Sequence, residues 1–317
     1  ILAMDDLTDI EKYEILAFYA AHVEGDLNRA IQFEKTVIEL YPDVSAHHNN
    51  LGFLFQRQGL YEKALEEYRK AVRIDPHFVL SYSGITWIYL SVNGHMDSTW
   101  VWSKKMIEMA PDNPWGYLRL GCAYVGMDSL KKAEQAFIKA RNLDPKLSLS
   151  QYNLAHIYRL MGEYEKAIGV LEEFLKTDPQ ITTTYYVLGI LYKLLGKDQP
   201  AREHFLRFRN QTEWWIKNAP GYPMSFTYHG QVLTYLGDTL SGREFGEKAL
   251  EIDSSAKAYV NFAEFLAVQD RKEDAIENLE KALDKGYRDL VWLKLSPDLY
   301  LLRNEERFHR LLQTYFN

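Results

Sequence analysis

One pattern of about 34 residues returns eight times along this 317-residue chain, and it constrains the fold more than any other feature. A small residue marks each copy, in successive steps of 34, 35, 34, 34, 34, 41 and 33 residues: Ala30, Ala64, Thr99, Ala133, Ala167, Ala201, Gly242 and Ala275. A glycine or aspartate stands five residues before each marker. A fixed period of this length predicts a solenoid of stacked repeats rather than an enzyme built around one core.

Each copy reads as two helices joined by a tight turn. In residues 45–78, apolar side chains recur at spacings of three and four, first at Leu51, Leu54 and Phe55 and then at Ala64, Leu65, Tyr68, Ala71 and Val72. Such spacing gives a helix one apolar face. Gly59 lies between the two stripes, where a left-handed residue can end a helix, and Pro76 cannot continue the second helix. The small residues Gly52 and Ala64 let the two backbones approach closely.

These positions resemble the signature of the tetratricopeptide repeat. One copy consists of Leu51-Gly52, Phe55, Ala64, Tyr68, Ala71 and Pro76, and another of Leu120-Gly121, Tyr124, Ala133, Phe137, Ala140 and Pro145. Two further clear copies lie in residues 148–181 and 182–222, while 11–44, 79–113 and 223–255 match less well. The resemblance implies an all-α, right-handed superhelical solenoid of about eight helix-turn-helix repeats with C-terminal capping helices.

The predicted organisation is a lead at 1–10, eight repeat units and a C-terminal cap at 290–317. The units are bounded at 11–44, 45–78, 79–113, 114–147, 148–181, 182–222, 223–255 and 256–289. The 41-residue step adds seven residues to the sixth unit, close to two helical turns. We therefore expect its second helix to be about two turns longer and to carry Trp214 and Trp215, which either pack on the next repeat or form an aromatic patch for a partner.

Composition and motifs give no support to catalysis. The net charge of −7 disfavours nucleic acid as a partner of this segment. The lone Cys122 excludes an internal disulfide, and no apolar run is long enough for a membrane span.

The histidines do not form a metal site. His47 and His48 are adjacent, so their rings point apart on a helix and cannot share a metal. His229 is predicted to be a core histidine bonded to backbone. We expect no catalytic residue, cofactor or metal site, and a cytoplasmic protein.

The resemblance places function in a concave groove lined by the first helix of each repeat. Its inward positions, the second, fifth, ninth and twelfth of each unit, hold four Lys or Arg and one acid among 32 residues, although 44 acids in 317 residues would place about four there. The groove is thus predicted to be apolar, aromatic-rich and mildly basic. The candidate partner-binding residues are Asn49, Phe53, Trp87, Trp115, Tyr152, His156, Arg159, Tyr186 and Lys193.

These residues predict a protein or peptide partner that is apolar with some acidic residues, and self-association stays open. Several of the aromatic side chains can instead pack between adjacent first helices. The carboxylate clamp by which some repeats of this type bind chaperone C-termini is rejected, because Asn50, Asn153 and Asn261 lack the accompanying Lys and Arg set. We expect these three Asn side chains to bond to local backbone.

The last stretch departs from the repeat pattern. Pro297 interrupts it, and Glu305 to Tyr315 then reads as an amphipathic helix with Phe308, Leu311 and Leu312 facing inward, as expected of a cap that covers the open end of a solenoid. The tail also resembles the end of repeat arrays in bacterial multidomain signalling proteins. Two functions therefore stay open: an interaction scaffold, or the regulatory portion of a larger protein with an upstream kinase, cyclase or winged-helix domain.

Overall fold

The computed structural model describes residues 7–178 and 181–316, and all regular secondary structure in these residues is helical. The predicted all-α solenoid of helix pairs is confirmed. The chain forms two compact units, Ile1–Leu120 and Gly121–Asn317, and the division falls within the seventh helix.

Unit 1 contains three helix pairs and the beginning of a fourth. Its helices are α1 (Asp9–Tyr19), α2 (Leu27–Leu40), α3 (Ser45–Arg57), α4 (Tyr61–Ile74), α5 (Val79–Trp87), α6 (Met96–Met109) and the first part of α7 (Pro114–Gly126). The helices α1 and α5 continue into π-helical turns, Ala20–Glu24 and Ile88–Val92. Since a π turn takes up one extra residue, the second of these accommodates the single 35-residue step in the repeat.

Unit 2 contains the remaining pairs and the C-terminal segment. After the end of α7 come α8 (Leu130–Leu143), α9 (Ser148–Leu160), α10 (Tyr164–Thr177), α11 (Thr183–Leu194), α12 (Asp198–Asn218), α13 (Pro223–Leu236), α14 (Thr239–Ile252), α15 (Ala256–Val268) and α16 (Lys272–Asp284). The chain then forms the short α17 (Leu290–Leu295), a 3-10 turn (Leu299–Leu302) and α18 (Glu306–Phe316).

The turn inside each helix pair depends on one left-handed residue. All eight glycines and aspartates found five residues before the markers have positive φ: Gly25, Gly59, Gly94, Asp128, Gly162, Gly196, Gly237 and Asp270. At Gly59 the φ angle is 76°, and at the aspartates it is 54° and 58°. Only glycine and a few short polar residues adopt this conformation readily, which explains why each of these turns has either glycine or aspartate at this position.

Small residues allow the two helices of a pair to touch. In α13 and α14, a Cβ added to Gly230 would lie 2.6 Å from the carbonyl oxygen of Gly242, and one added to Gly242 would lie 2.7 Å from that of Gly230. A Cβ at Gly52 would meet the ring of Tyr68 at 2.8 Å. A larger side chain at these positions would push the pair apart, as the sequence predicts.

The predicted long helix is confirmed. Helix α12 has 21 residues, against 14 in both α10 and α14. Near its end, Trp215 packs edge-on against Phe208 with ring centroids 5.9 Å apart, while Trp214 stays 58% exposed. The extra turns thus pack one tryptophan, partly buried, against the core and leave the other on the surface.

The predicted C-terminal cap consists of two parts with different positions. Helix α18 packs on the last repeat pair with Phe308 and Leu311 buried in a shared apolar cluster and Leu312 partly buried against it, and Arg307 pairs with Glu273 and Glu280 on α16 at 2.8 and 3.2 Å. This part covers the end of the array. Residues 290–303 share this apolar cluster through Leu293, Leu299 and Leu302, and they also lie along first helices of unit 2.

Candidate partner-binding faces

Five of the predicted inward positions of unit 1 carry large apolar side chains that remain accessible. They range from 36% to 64% exposed and come from four successive first helices: Ile15, Tyr19, Phe53, Leu80 and Trp115. We call these five residues the open face. An accessible aromatic or leucine side chain on each of several first helices can contribute large contact areas to a partner.

Four of the nine candidate residues lie in unit 1, and two of these four contact other residues of the array. The side-chain oxygen of Asn49 accepts a hydrogen bond from Ser81 on α5 at 3.0 Å. Trp87 is half-buried and lies 6.3 Å from the ring of Tyr61. Phe53 and Trp115 are exposed, and the guanidinium of Arg119 lies over the Trp115 ring at 5.6 Å. Among the candidates in unit 1, Phe53 and Trp115 therefore have the most accessible side chains.

The equivalent surface of unit 2 is covered by the chain itself. Residues 290–303, which we call the return segment, run along it from Trp292 to Arg303. At one end, the Lys294 ammonium donates to the carbonyl oxygen of Gly126 at 2.9 Å and pairs with Asp128 at 2.7 Å. Four leucines of the segment, Leu293, Leu295, Leu299 and Leu302, are buried. Three of them, Leu293, Leu299 and Leu302, belong to the apolar cluster of α15, α16 and α18.

Arg159, on α9, is the largest completely buried side chain among the described residues. Its Nη2 donates to the carbonyl oxygens of Leu295 and Ser296 at 2.7 and 3.3 Å, and its guanidinium lies 4.8 Å from the centre of the Tyr300 ring. Burial lowers the pKa of Arg159 to about 10, and the nearby charge of Arg303 adds to this. The residue predicted to contact an acidic partner therefore binds backbone carbonyls of its own chain.

Asp298 is the polar centre of the return segment and is almost completely buried. Its carboxylate accepts hydrogen bonds from the hydroxyls of Tyr186 and Tyr235 at 2.8 and 3.0 Å and from the amide of Gln231 at 3.2 Å. Burial, together with the neighbouring carboxyl of Glu264, raises the pKa of Asp298 to about 7, and the hydrogen bonds from Tyr186 and Tyr235 and the charge of Arg159 only partly oppose this rise.

Glu264 also binds the start of the segment. Its carboxylate accepts a hydrogen bond from the indole of Trp292 at 2.6 Å, and burial raises its pKa. The ammonium of Lys257 lies over the same indole at 4.9 Å. We call the five residues of unit 2 that bind the return segment the filled face: Arg159, Tyr186, Gln231, Tyr235 and Glu264. Four of them occupy positions predicted to point inward, and Tyr235 follows such a position.

The remaining candidates of unit 2 divide into packed and exposed side chains. Tyr152 is half-buried, and its hydroxyl bonds to Thr183 and Thr184 on the next first helix at 2.8 and 2.7 Å. His156 is buried, and burial together with the charges of Arg159 and Arg303 holds its pKa well below the usual value. Lys193 is exposed. Arg159 and Lys193 therefore do not form a pair of accessible cations, contrary to the prediction.

Sequence comparison identifies the repeats. Models of the tetratricopeptide repeat match residues 46–78, 116–147 and 152–183. The chain is a tetratricopeptide repeat protein. A tetratricopeptide repeat protein from Parabacteroides merdae ATCC 43184 has the same fold, with a TM-score of 0.55 and 18% identity over 98% of this chain and 99% of that one.

Two curated relatives of this tetratricopeptide repeat protein match over part of its length. It is 27% identical over 147 residues to anaphase-promoting complex subunit 3 of Schizosaccharomyces pombe, covering 46% of this chain and 21% of the relative. It is 30% identical over 89 residues to the Hsp70-Hsp90 organising protein of Plasmodium falciparum, covering 28% of this chain and 35% of the relative. The alignments thus span about a third or less of each relative's length.

Several polar residues bond differently from the prediction. Asn50 donates to the Glu34 carboxylate at 3.2 Å and Asn153 to the Cys122 sulfur at 3.7 Å, so both reach the preceding repeat rather than local backbone. His229 bonds to the Thr212 hydroxyl at 2.8 Å, a side chain instead of backbone. In each case the side chain bonds to a side chain of a neighbouring helix, because most carbonyls of its own helix are already used in backbone hydrogen bonds.

The adjacent histidines of unit 1 bind two different acids, as their opposite directions on the helix require. His47 Nδ1 lies 3.1 Å from Glu34 on α2, and His48 Nδ1 lies 2.7 Å from Glu67 on α4. Within residues 7–178 and 181–316, no three His, Cys, Asp or Glu side chains cluster as metal ligands would. In the same residues, no helix has both the length and the apolarity needed to cross a membrane.

Sequence reasoning missed Gln231 and Tyr235 as parts of the filled face, together with the whole return segment. Glu264 was the one sequence feature that indicated a polar contact on this face, because it is the one acid among the 32 predicted inward positions. The structure gives that acid a partner, the Trp292 indole.

Proposed function

We propose that this protein is an interaction scaffold whose open face binds a segment of a partner protein. The observation that supports this most is the exposure of large apolar side chains at inward positions of unit 1, where Leu80 is 64% and Phe53 45% exposed. Fully burying such a side chain contributes about 1.5–3 kcal/mol. The function rests on binding, not on catalysis.

The partner segment is proposed to be apolar with some acidic residues. Phe53 and Trp115 supply aromatic contact area, and aromatic side chains often dominate interface energies. The guanidinium of Arg119 over the Trp115 ring places a cation beside an exposed ring. An acidic residue in the partner would be attracted to this cation, and the attraction would weaken with salt.

The test compares two pairs of exposed residues. A partner is first isolated with the parent chain, and its affinity is then measured for Phe53→Ala with Trp115→Ala and for a control, Trp214→Ala with Leu240→Ala. The control residues are 58% and 81% exposed but lie outside the open face. The first pair is expected to weaken binding by roughly 2 kcal/mol or more, and the control by less than about 0.5 kcal/mol. Equal effects of the two pairs would overturn the proposal.

The regulatory alternative makes a different prediction at the level of the whole gene product. There the same array would control a kinase, cyclase or winged-helix domain encoded with it. Activity of such a domain, measured with and without the Phe53→Ala and Trp115→Ala changes, would decide between a scaffold and a regulator.

A further inference from the structure

The return segment contacts the filled face as a bound peptide contacts a receptor. It consists of a six-residue helix and a four-residue 3-10 turn joined by a short link. It lies across helices that are distant in sequence, with 136 residues between Arg159 and Leu295. Its leucines fill apolar positions, and Arg159 of the face donates to its backbone carbonyls at Leu295 and Ser296. This combination of apolar anchors with bonds to the main chain is typical of peptide recognition.

The match between segment and face is incomplete. Four buried polar atoms of unit 2 that face this region have no hydrogen-bond partner among the described residues: Arg159 Nε and Nη1, His156 Nδ1 and Gln231 Oε1. A buried polar group without a partner is costly. The return segment therefore satisfies the apolar requirements of the face better than its polar ones.

The charges show what is missing. Arg159 and Arg303 both approach the Tyr300 ring, at 4.8 and 5.0 Å from its centre, so docking brings two guanidinium groups together. The carboxylate nearest to the centre of the segment, Asp298, bonds to Tyr186, Tyr235 and Gln231 rather than to Arg159. A ligand with a carboxylate in place of Arg303 would replace a repulsion by an attraction.

We propose that the filled face is a second peptide-binding site, closed by the return segment as an intramolecular ligand, and that its external ligand is a leucine-rich segment with a carboxylate within reach of Arg159. The return segment then competes with that ligand and keeps the site closed in its absence. This proposal does not depend on the open face, because every residue that it uses lies in unit 2.

Peptides that copy residues 289–304 test the proposal on the full chain. The first has the natural sequence, the second carries Arg303→Glu and supplies the missing carboxylate, and the third carries Leu299→Lys and loses a buried anchor. Opening is measured by thiol labelling of Ser296→Cys in a Cys122→Ser background, since Ser296 is completely buried. A displaced return segment exposes the new thiol.

The Arg303→Glu peptide is expected to accelerate labelling in a saturable manner and to bind about tenfold more tightly than the natural peptide, which is the ratio for one good charge-assisted bond. The Leu299→Lys peptide should have no effect. The proposal would be overturned if none of the three peptides changed the labelling rate and if labelling occurred only as the protein unfolds globally in denaturant. A rate that rises with protein concentration instead would identify a second copy as the occupant and overturn the external ligand.

A second measurement keeps the test valid if the cysteine variant does not fold. Hydrogen exchange of residues 290–303 in the unaltered chain should speed up with the Arg303→Glu peptide and stay unchanged with the Leu299→Lys peptide. Equal exchange under both conditions would contradict the proposal.

Discussion

The two units present the same repeat positions in opposite states. At the fifth position, Ile15 in unit 1 is 48% exposed, whereas Tyr186 in unit 2 is 3% exposed. The difference comes from the return segment, which adds leucines and Asp298 to unit 2 only. Whether an inward-facing repeat position is exposed or buried therefore depends on a segment that is distant in the sequence.

The largest effect is expected from a charge placed in the docked segment. Leu299→Asp puts a carboxylate at a completely buried position beside Asp298 and should lower the free energy of unfolding by about 3–5 kcal/mol. Leu301→Asp, at a position 39% exposed, should change it by less than about 0.5 kcal/mol. Urea denaturation measures both. Equal midpoints would show that the return segment is not packed as described.

A smaller loss is expected from Arg159→Ala. The change removes the donor that serves the carbonyl oxygens of Leu295 and Ser296 and leaves both without it. We expect a loss of about 2 kcal/mol, because relief of the repulsion from Arg303 offsets part of the damage. Lys193→Ala, at the equivalent position one repeat later, is the control and should change stability by less than about 0.5 kcal/mol. A loss at Lys193 as large as at Arg159 would contradict the assignment.

The pH dependence of unit 2 should carry the signature of Asp298. Its pKa is raised to about 7, so between its ordinary pKa and pH 7 the native state holds a proton that the unfolded state lacks, and stability falls as pH rises. Glu264 acts in the same direction. His156 acts in the opposite one, since its lowered pKa makes stability fall as pH drops below its ordinary value.

The carboxyl effect is therefore clearest above about pH 6.5, where an unfolded histidine is mostly neutral. Tyr186 and Tyr235 stay protonated there because burial raises their pKa values well above the usual one, and Arg159 stays charged. From pH 6.5 to 8 we expect a loss of roughly 1 kcal/mol. Asp298→Asn should remove the part of this slope that Asp298 causes, while keeping an oxygen for the two tyrosines. Parallel pH profiles of parent and variant would rule the explanation out.

The smallest effect is expected in unit 1. Leu80→Ser and Phe53→Ser, both at exposed positions, should each change the free energy of unfolding by less than about 0.5 kcal/mol. Thermal and urea unfolding provide the measurement. Losses comparable to Arg159→Ala would mean that the open face is covered, as the filled face is.

The periodic part of the fold was predictable because it follows from local rules. The marker residues located the helix pairs, the glycine and aspartate positions located the turns, and the 41-residue step located the long α12 helix. These features depend on neighbours within one or two repeats. A 3.6-residue period and a left-handed turn can be read directly from the residues involved.

The return segment could not be predicted in the same way. Residues 290–303 have no repeat pattern, and contacts such as Tyr186 to Asp298 join residues 112 positions apart. The sequence gives the chemistry of Arg159 and Asp298 but not their proximity. The sequence predicted an apolar ligand with some acidic residues, and the return segment, with its leucines and Asp298, has this composition. The prediction assigned that ligand to another protein because the proximity was not visible in the sequence.

Side-chain oxidation footprinting of the intact chain, read by mass spectrometry, tests the contrast between open and filled faces most directly. Tyr19 and Tyr186 have the same intrinsic reactivity, so their labelling compares the two faces with one probe. We predict strong labelling of Tyr19 and protection of Tyr186 in the parent, and labelling of both in Leu299→Asp under conditions where helicity is retained. Labelling of Tyr186 as strong as that of Tyr19 in the parent would contradict the account.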